Sequence, residues 1–302
     1  NVEDGYLREV RKGIEYGNIH GNFGMHQSLM AYTAVVLDSV PESGEMIDWV
    51  FRSGNDSFFS DDVYIDGGNV QANIINSISR DGMGQEAAPN YNLTWIGNLG
   101  SIATALAGYE TYPAMDLYKN PRYFKMFSAV APLTLCRRAT AQIGDSGATA
   151  DETLMLPGMT TAYLNNPDPE LAQLIYLQNG NSVNNLHADI FTKDPEGIQE
   201  MIREDIETYG EYDLDRSQML ADFGFAILRG GSLYDTVSGY SDIQRDFWMY
   251  FGQGVGHGHP AALNLGIHAY GLDLAPDLGY PEAADGAPKN VYWGQATVNH
   301  NT

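Results

Sequence analysis

The chain is poor in cysteine, in basic residues and in long apolar runs, and each scarcity removes a class of protein. A single cysteine, Cys136, among 302 residues rules out an internal disulfide. It sits in the apolar run VAPLTLC and reads as a small buried residue rather than a nucleophile. Lysine and arginine total 16 against 39 acidic residues, a formal net charge of -23. That balance disfavours nucleic acid and anionic membrane as general partners, while a local cluster of histidine and arginine can still bind carboxylates. No apolar stretch approaches the roughly 18 residues of a membrane span, and no leader-like segment precedes Asn1. The chain begins without methionine and stops beside a candidate functional residue, so it reads as a piece of a longer protein.

A hydrophobic content of 43% with 11% aromatics is enough for a sizeable core and argues against global disorder. Apolar residues recur at helical spacing over 25–37, 45–50, 70–78, 95–106 and 124–135. Two further helices are expected over 170–177, after the start signal NPDPE, and over 195–209. Loops rich in glycine, asparagine and aspartate separate them, among them GNIHGNFG, SRDGMGQEAAPNYN and QIGDSGATADE. Near residue 215 the texture changes to short apolar or alternating runs bounded by glycine: ADFGFAILRGG, DFWMYFGQG and ALNLGIHAYG. These read as strands. The expectation is an α+β chain, with a helical domain over 1–214 followed by a sheet domain over 215–302.

Chemistry concentrates in 252–281, GQGVGHGHPAALNLGIHAYGLDLAPDLGYP, which holds three of the seven histidines. His257 and His259 form an H-x-H pair, and an extended backbone would point both imidazoles the same way. Asp277 follows in DLGYP, and His300 lies in NHNT. Two histidines and one carboxylate, His259, Asp277 and His300, are donor types that suit zinc or a similar divalent ion. The long intervals fit ordinary surface or strand histidines as well.

NIHGNFGMHQ, DGMGQEAAPNYN, ADFGFAILRGG, GHGHPAALNL, DLGYP and NHNT, in that order through most of the chain, resemble the heparinase II/III-like polysaccharide lyases. The resemblance implies an α/α toroid followed by an antiparallel β-sandwich, and β-elimination on a uronate-containing polysaccharide. The polymer would be a glycosaminoglycan (heparin or heparan, chondroitin, hyaluronan) or alginate. It further implies His20, Tyr91 and His257 as catalytic residues, and a zinc held by His259, Asp277 and His300. Ile19 stands where many members carry asparagine directly before the histidine, so the neutralising amide would come from Asn18 or Asn22. Ala261 stands where relatives commonly have an aspartate two residues after the second histidine, which takes a carboxylate away from the metal-site histidine.

Such a site has to stabilise the enolate-like intermediate formed when the C5 proton leaves, and donors aimed at the uronate carboxylate do this. It also needs a base for that proton and an acid for the leaving oxygen. Tyr91 can serve as both in a syn elimination, with His20 as base for the other C5 epimer. A free tyrosine titrates at about 10, so it must be activated by its neighbours. Gln27 and Glu86 are candidate sugar contacts, Glu86 also a possible second acid. Arg137, Arg138 and Arg229 are candidate anion clamps, each also an ordinary ion-pair residue. His26 reads as a cap-region residue or a subsite contact, and His187 and His268 as structural.

Two other functions fit part of this pattern. A glycoside hydrolase would use paired carboxylates such as Asp81 or Glu86 with Asp145, and a lyase would leave Asp145 largely idle. A non-catalytic polysaccharide-binding protein would keep the cleft without turnover. Polymer substrates do not cross membranes unaided, so a secreted or periplasmic location is expected.

Overall fold

The computed structural model describes residues 2–55, 63–109, 116–137, 139–146, 158–186, 192–231, 244–253, 255–277, 279 and 294–301. The expected change of texture is present: nine α-helices are described before residue 210, and five paired strands follow from Gln218. The helices are α1 (Arg8–Glu15), α2 (Met25–Leu37), α3 (Glu42–Phe51), α4 (Val70–Ser77), α5 (Pro89–Leu106), α6 (Pro121–Ala129), α7 (Met159–Asn165), α8 (Pro169–Gln178) and α9 (Pro195–Tyr209). They and the strands fall into two compact units that interleave in sequence. One holds 1–78, 94–124 and 164–166, and the other 79–93, 125–163 and 167–302.

In the first unit α2 packs on α3, and Met30 and Ala34 of the one and Ile47 and Val50 of the other are fully buried. Trp49 of α3 is buried with its indole N–H donated to the Ile65 carbonyl (2.8 Å), so its polar edge is satisfied inside the core. The start of α2 is set by Gln27, whose Oε1 accepts the Gly24 N–H at 2.9 Å. Gly24 has φ +90, and a Cβ there would fall 2.5 Å from Asn98 Cβ, so only glycine fits the turn.

In the second unit α8 pairs with α9. Both start as the sequence signals: Asp168 caps α8 by accepting the Leu171 N–H, Asp194 caps α9 by accepting that of Gly197, and a proline occupies the first position of each. The expected helix over 124–135 ends at Ala129. Pro132 cannot continue it, and the chain passes through a 3₁₀ turn (Ala131–Leu133) into β1 (Thr134–Leu135), which pairs with β2 (Ala139–Thr140).

The five-stranded sheet is antiparallel throughout, in the order β3 (Gln218–Leu220), β4 (Phe225–Gly230), β5 (Arg245–Tyr250), β6 (Asn264–Ala269) and β7 (Leu272–Asp273). Ile227, Trp248 and Gly266 lie side by side in register on the buried face. Gly266 makes room for its neighbour, since a Cβ there would meet the Trp248 indole at 2.1 Å. The alternation in β6 runs opposite to hydropathy: Asn264, Gly266 and His268 are buried while Ile267 is 39% exposed. Each buried polar side chain of this strand meets a carboxylate, Asn264 that of Asp277 and His268 that of Asp273.

Candidate active site

The sequence places Tyr91 on a loop. It lies instead in the first turn of α5, because Pro89 opens the helix two residues before it. The preceding segment is tied to the histidine-rich loop, with the Ala87 N–H donated to the carbonyls of Val255 and Gly256, each at 3.0 Å. Gly256 (φ +46) allows this approach, since a Cβ there would lie 2.3 Å from Glu86 Oε2. Asn92 fastens the turn from the other side, its amide donating to the Glu86 carbonyl at 2.7 Å. The result is a face-to-face stack of Tyr91 and His257, with ring centroids 3.5 Å apart and planes 10° from parallel.

His257 and His259 are not on a strand. His257 has a left-handed backbone (φ +48) in the loop before β6, so the extended-backbone expectation fails. Both rings nonetheless converge on one group, Asp145. His257 Nδ1 lies 3.0 Å from its Oδ2 and His259 Nε2 2.8 Å from its Oδ1. The Asp145 N–H in turn donates to the His257 carbonyl at 2.8 Å. The exposures differ sharply, with 39% of the His257 side chain accessible and none of that of His259.

Behind this pair lies the third predicted group. His259, Asp277 and His300 are all buried, and one donor atom from each lies within 4.8 Å of the others. Among the described residues, Asp277 Oδ2 accepts from Asn264 Nδ2 (2.8 Å) and lies 2.6 Å from His300 Nδ1, and its Oδ1 accepts the Gly279 N–H (2.8 Å). Asn264 stands at the head of β6, and its Oδ1 accepts the Asn301 N–H at 3.0 Å, fixing the segment that carries His300. His259 Nδ1 and His300 Nε2 are buried with no hydrogen-bond partner among the described residues, while the other nitrogen of each ring is held by a carboxylate. The donor set of two imidazoles and a carboxylate, with His259 held through its other nitrogen by Asp145, fits a divalent ion such as zinc.

The remaining predicted residues divide. Asn18, His20 and Asn22 belong to the first compact unit and are exposed, with His20 Nδ1 2.8 Å from the Gly17 carbonyl oxygen. Ile19 serves packing, since its side chain fills the space where a Cβ on Gly13 would lie. Gln27 is corrected from a sugar contact to a structural residue. It is 1% exposed, with Oε1 on the Gly24 N–H and Nε2 donated to the Gly68 carbonyl at 2.9 Å. His26 is buried, and burial, with a smaller contribution from His20, lowers its pKa to about 4.

Glu86 is half-buried beside the loop, and its Oε2 has no hydrogen-bond partner among the described residues. Arg229 is no clamp: it is buried in an ion pair with Asp246. Arg137 pairs with Asp215 at 3.5 Å. His268 is structural as expected, 3.6 Å from Asp273. Cys136 is buried, and burial, with Asp246 nearby, pushes its thiol up to about 12. Arg138 and His187 lie outside the described residues.

Sequence reasoning missed the central role of Asp145. In sequence it reads only as a possible hydrolase carboxylate; its neighbour Ser146 is buried and bonded to the Ile143 backbone. Asn264 was missed too, as a polar residue inside an apolar strand.

No protein-family profile matches the chain, and no curated protein does. Solved structures do. Heparinase III with methylated lysines superposes with a TM-score of 0.61 at 17% identity. The heparan sulfate lyase HepC from Pedobacter heparinus gives 0.57 at 14%, and a mutant of it 0.61 at 15%. Each superposition covers 99% of this chain and 39% of the other. The chain therefore has the fold of the corresponding part of these heparinase III and heparan sulfate lyase structures, and spans 39% of their length.

Proposed function

We propose that the chain carries catalytic residues of a polysaccharide lyase that cleaves a uronate-containing polymer by β-elimination. The observation that carries this reading is the Tyr91–His257 stack, with His257 held by Asp145 next to the buried His259, Asp277 and His300 group. The fold shared with heparinase III and a heparan sulfate lyase supports it and puts heparan-type glycosaminoglycans first among substrates, ahead of chondroitin, hyaluronan and alginate. The same reading includes an α/α toroid over 1–214, a β-sandwich beginning at 215, and export to the periplasm or medium. No helix among the described residues is long and apolar enough to cross a membrane.

In this mechanism Tyr91, entering as the phenolate, takes the C5 proton of the uronate and passes that proton to the leaving oxygen on the same face. His257 gives its Nδ1–H to Asp145, so Nε2 is the ring atom left for the uronate. The stack fixes that atom relative to the phenol, so the two rings are placed before substrate arrives. His20 serves as base for the opposite C5 epimer, and the amides of Asn18 and Asn22 neutralise the uronate carboxylate. Glu86, half-buried beside the histidine-rich loop, is a sugar contact in this reading. Zinc bound by His259, Asp277 and His300 would supply a fixed positive charge that joins the loops carrying them.

The hydrolase reading has less support. Asp145 is already engaged by two imidazoles, and Asp81 by the Ser79 hydroxyl and the N–H groups of Asp222 and Phe223.

The test is ultraviolet absorbance of the unsaturated uronate product on a panel of glycosaminoglycans and alginate. A rise is expected with the native protein, with Tyr91→Phe and His257→Ala each abolishing it, and chelator reducing it until zinc is restored. An undiminished rate in Tyr91→Phe would sink the mechanism. New reducing ends without unsaturation would make the protein a hydrolase, and binding without product a sugar-binding protein.

A further inference from the structure

We infer that Asp145 is a positioning residue whose single carboxylate sets the tautomers of both histidines in the H-x-H motif. It would thereby couple the reacting face of His257 to the metal-facing atom of His259. The inference rests on the lyase reading for what His257 does, and on the geometry alone for what Asp145 does.

An ionised carboxylate only accepts hydrogen bonds. Its Oδ2 lies 3.0 Å from His257 Nδ1 and its Oδ1 2.8 Å from His259 Nε2, so each of those nitrogens carries the proton in the neutral ring. The lone pairs then fall on His257 Nε2, on a side chain 39% exposed, and on His259 Nδ1, which is buried without a hydrogen-bond partner among the described residues. One ring is thus set to meet substrate and the other to meet a cation.

The backbone that carries this carboxylate is tied to that of His257. The Asp145 N–H is bonded to the His257 carbonyl at 2.8 Å. Gly144, at φ +58, lies so close that a Cβ would fall 2.2 Å from the same oxygen. A carboxylate behind a metal-binding histidine is a recurrent arrangement. Here the same carboxylate also holds a histidine outside the metal group. It reaches His259 from 114 residues away in the chain, whereas Ala261, two residues on, has no carboxylate to offer.

An asparagine has one acceptor oxygen and an NH₂ group. Asp145→Asn therefore forces one of the two rings to lose its bond or change tautomer.

The first test needs no variant at position 145. In the full chain labelled with ¹⁵N-histidine and freed of metal, NMR is expected to find His257 protonated at Nδ1 and His259 at Nε2, the signals assigned with His257→Gln and His259→Gln. Protonation of His257 at Nε2 alone, or of His259 at Nδ1 alone, overturns the inference.

The second test compares folded Asp145→Asn with the native protein. Zinc affinity, measured by chelator competition, is expected to fall by about 10–100-fold. The lyase kcat is expected to fall by a similar factor, with KM little changed because Asp145 does not touch the sugar. Unchanged zinc affinity and kcat, or a rise in KM alone, overturns it. If the native protein cleaves no polymer, the lyase reading fails by itself, while the tautomer and zinc readouts still decide the role of Asp145.

Discussion

Replacing Arg229 with methionine should destabilise the protein in a way that depends on pH, and the dependence identifies the cause. Arg229 on β4 faces Asp246 on β5 in register, with Nη1 3.1 Å from Oδ2. Their side chains are 1% and 0% exposed. Oδ2 also accepts the Cys136 N–H at 2.6 Å, and Arg229 Nη2 donates to the Pro132 carbonyl at 2.9 Å. Burial raises the Asp246 pKa above 3.8, and the guanidinium is the chief influence holding it down. Methionine keeps much of the side-chain volume and removes the charge, which leaves a buried carboxylate with one backbone donor. Breaking a buried pair in this way costs about 3–5 kcal/mol at neutral pH, a large part of a typical total of about 5–15 kcal/mol.

The sign follows from proton binding. A carboxyl whose folded pKa exceeds its unfolded one holds more protons when folded, so stability falls as pH rises from the unfolded value to the folded one. Without Arg229 that window widens upward. The deficit should be small near pH 4 and grow by about 1.4 kcal/mol per pH step until it levels off. Urea unfolding followed by tryptophan fluorescence between about pH 4 and pH 8 measures it. Adding Asp246→Leu should recover most of the loss. A deficit independent of pH, or under about 1 kcal/mol throughout, would refute the argument that an ionised carboxylate is being held.

Gly144→Ala and Gly108→Ala form a matched pair. Both glycines have positive φ, which costs a residue with a Cβ about 1–2 kcal/mol, but only Gly144 backs onto another chain segment, the His257 carbonyl. Thermal unfolding should therefore show a larger loss for Gly144→Ala; equal losses would mean that the loop gives way freely. His26 adds an acid limb to stability. With its pKa lowered from 6.5 to about 4, the unfolded chain takes up a proton that the folded one refuses, so stability falls as pH drops through that window, by up to about 3 kcal/mol. In His26→Leu the fall between pH 6.5 and pH 4 should be shallower by that amount, and an unchanged slope would assign the limb to other groups.

The elements that sequence reading located are those whose causes are local. Helix α2 over Met25–Leu37 and helix α9 over Pro195–Tyr209 have the expected bounds because apolar spacing and end signals lie within the elements themselves. Where reading failed, a local cause was weighed too lightly: Pro132 ended the helix expected to reach 135, and Pro89 drew Tyr91 into one. The site is of another kind. Asp145 is 112 and 114 residues from the histidines it holds, and no periodicity reports a hydrogen bond across that interval. The partners of Asp277 were equally hidden, since Asn264 looks in sequence like an interruption of an apolar strand. What the sequence does carry is permission for close approach. Gly144 stands beside Asp145 and Gly256 beside His257, and in each case another segment occupies the space that a side chain would need. Such glycines mark where a site can be assembled, and only the fold reveals what is brought against them.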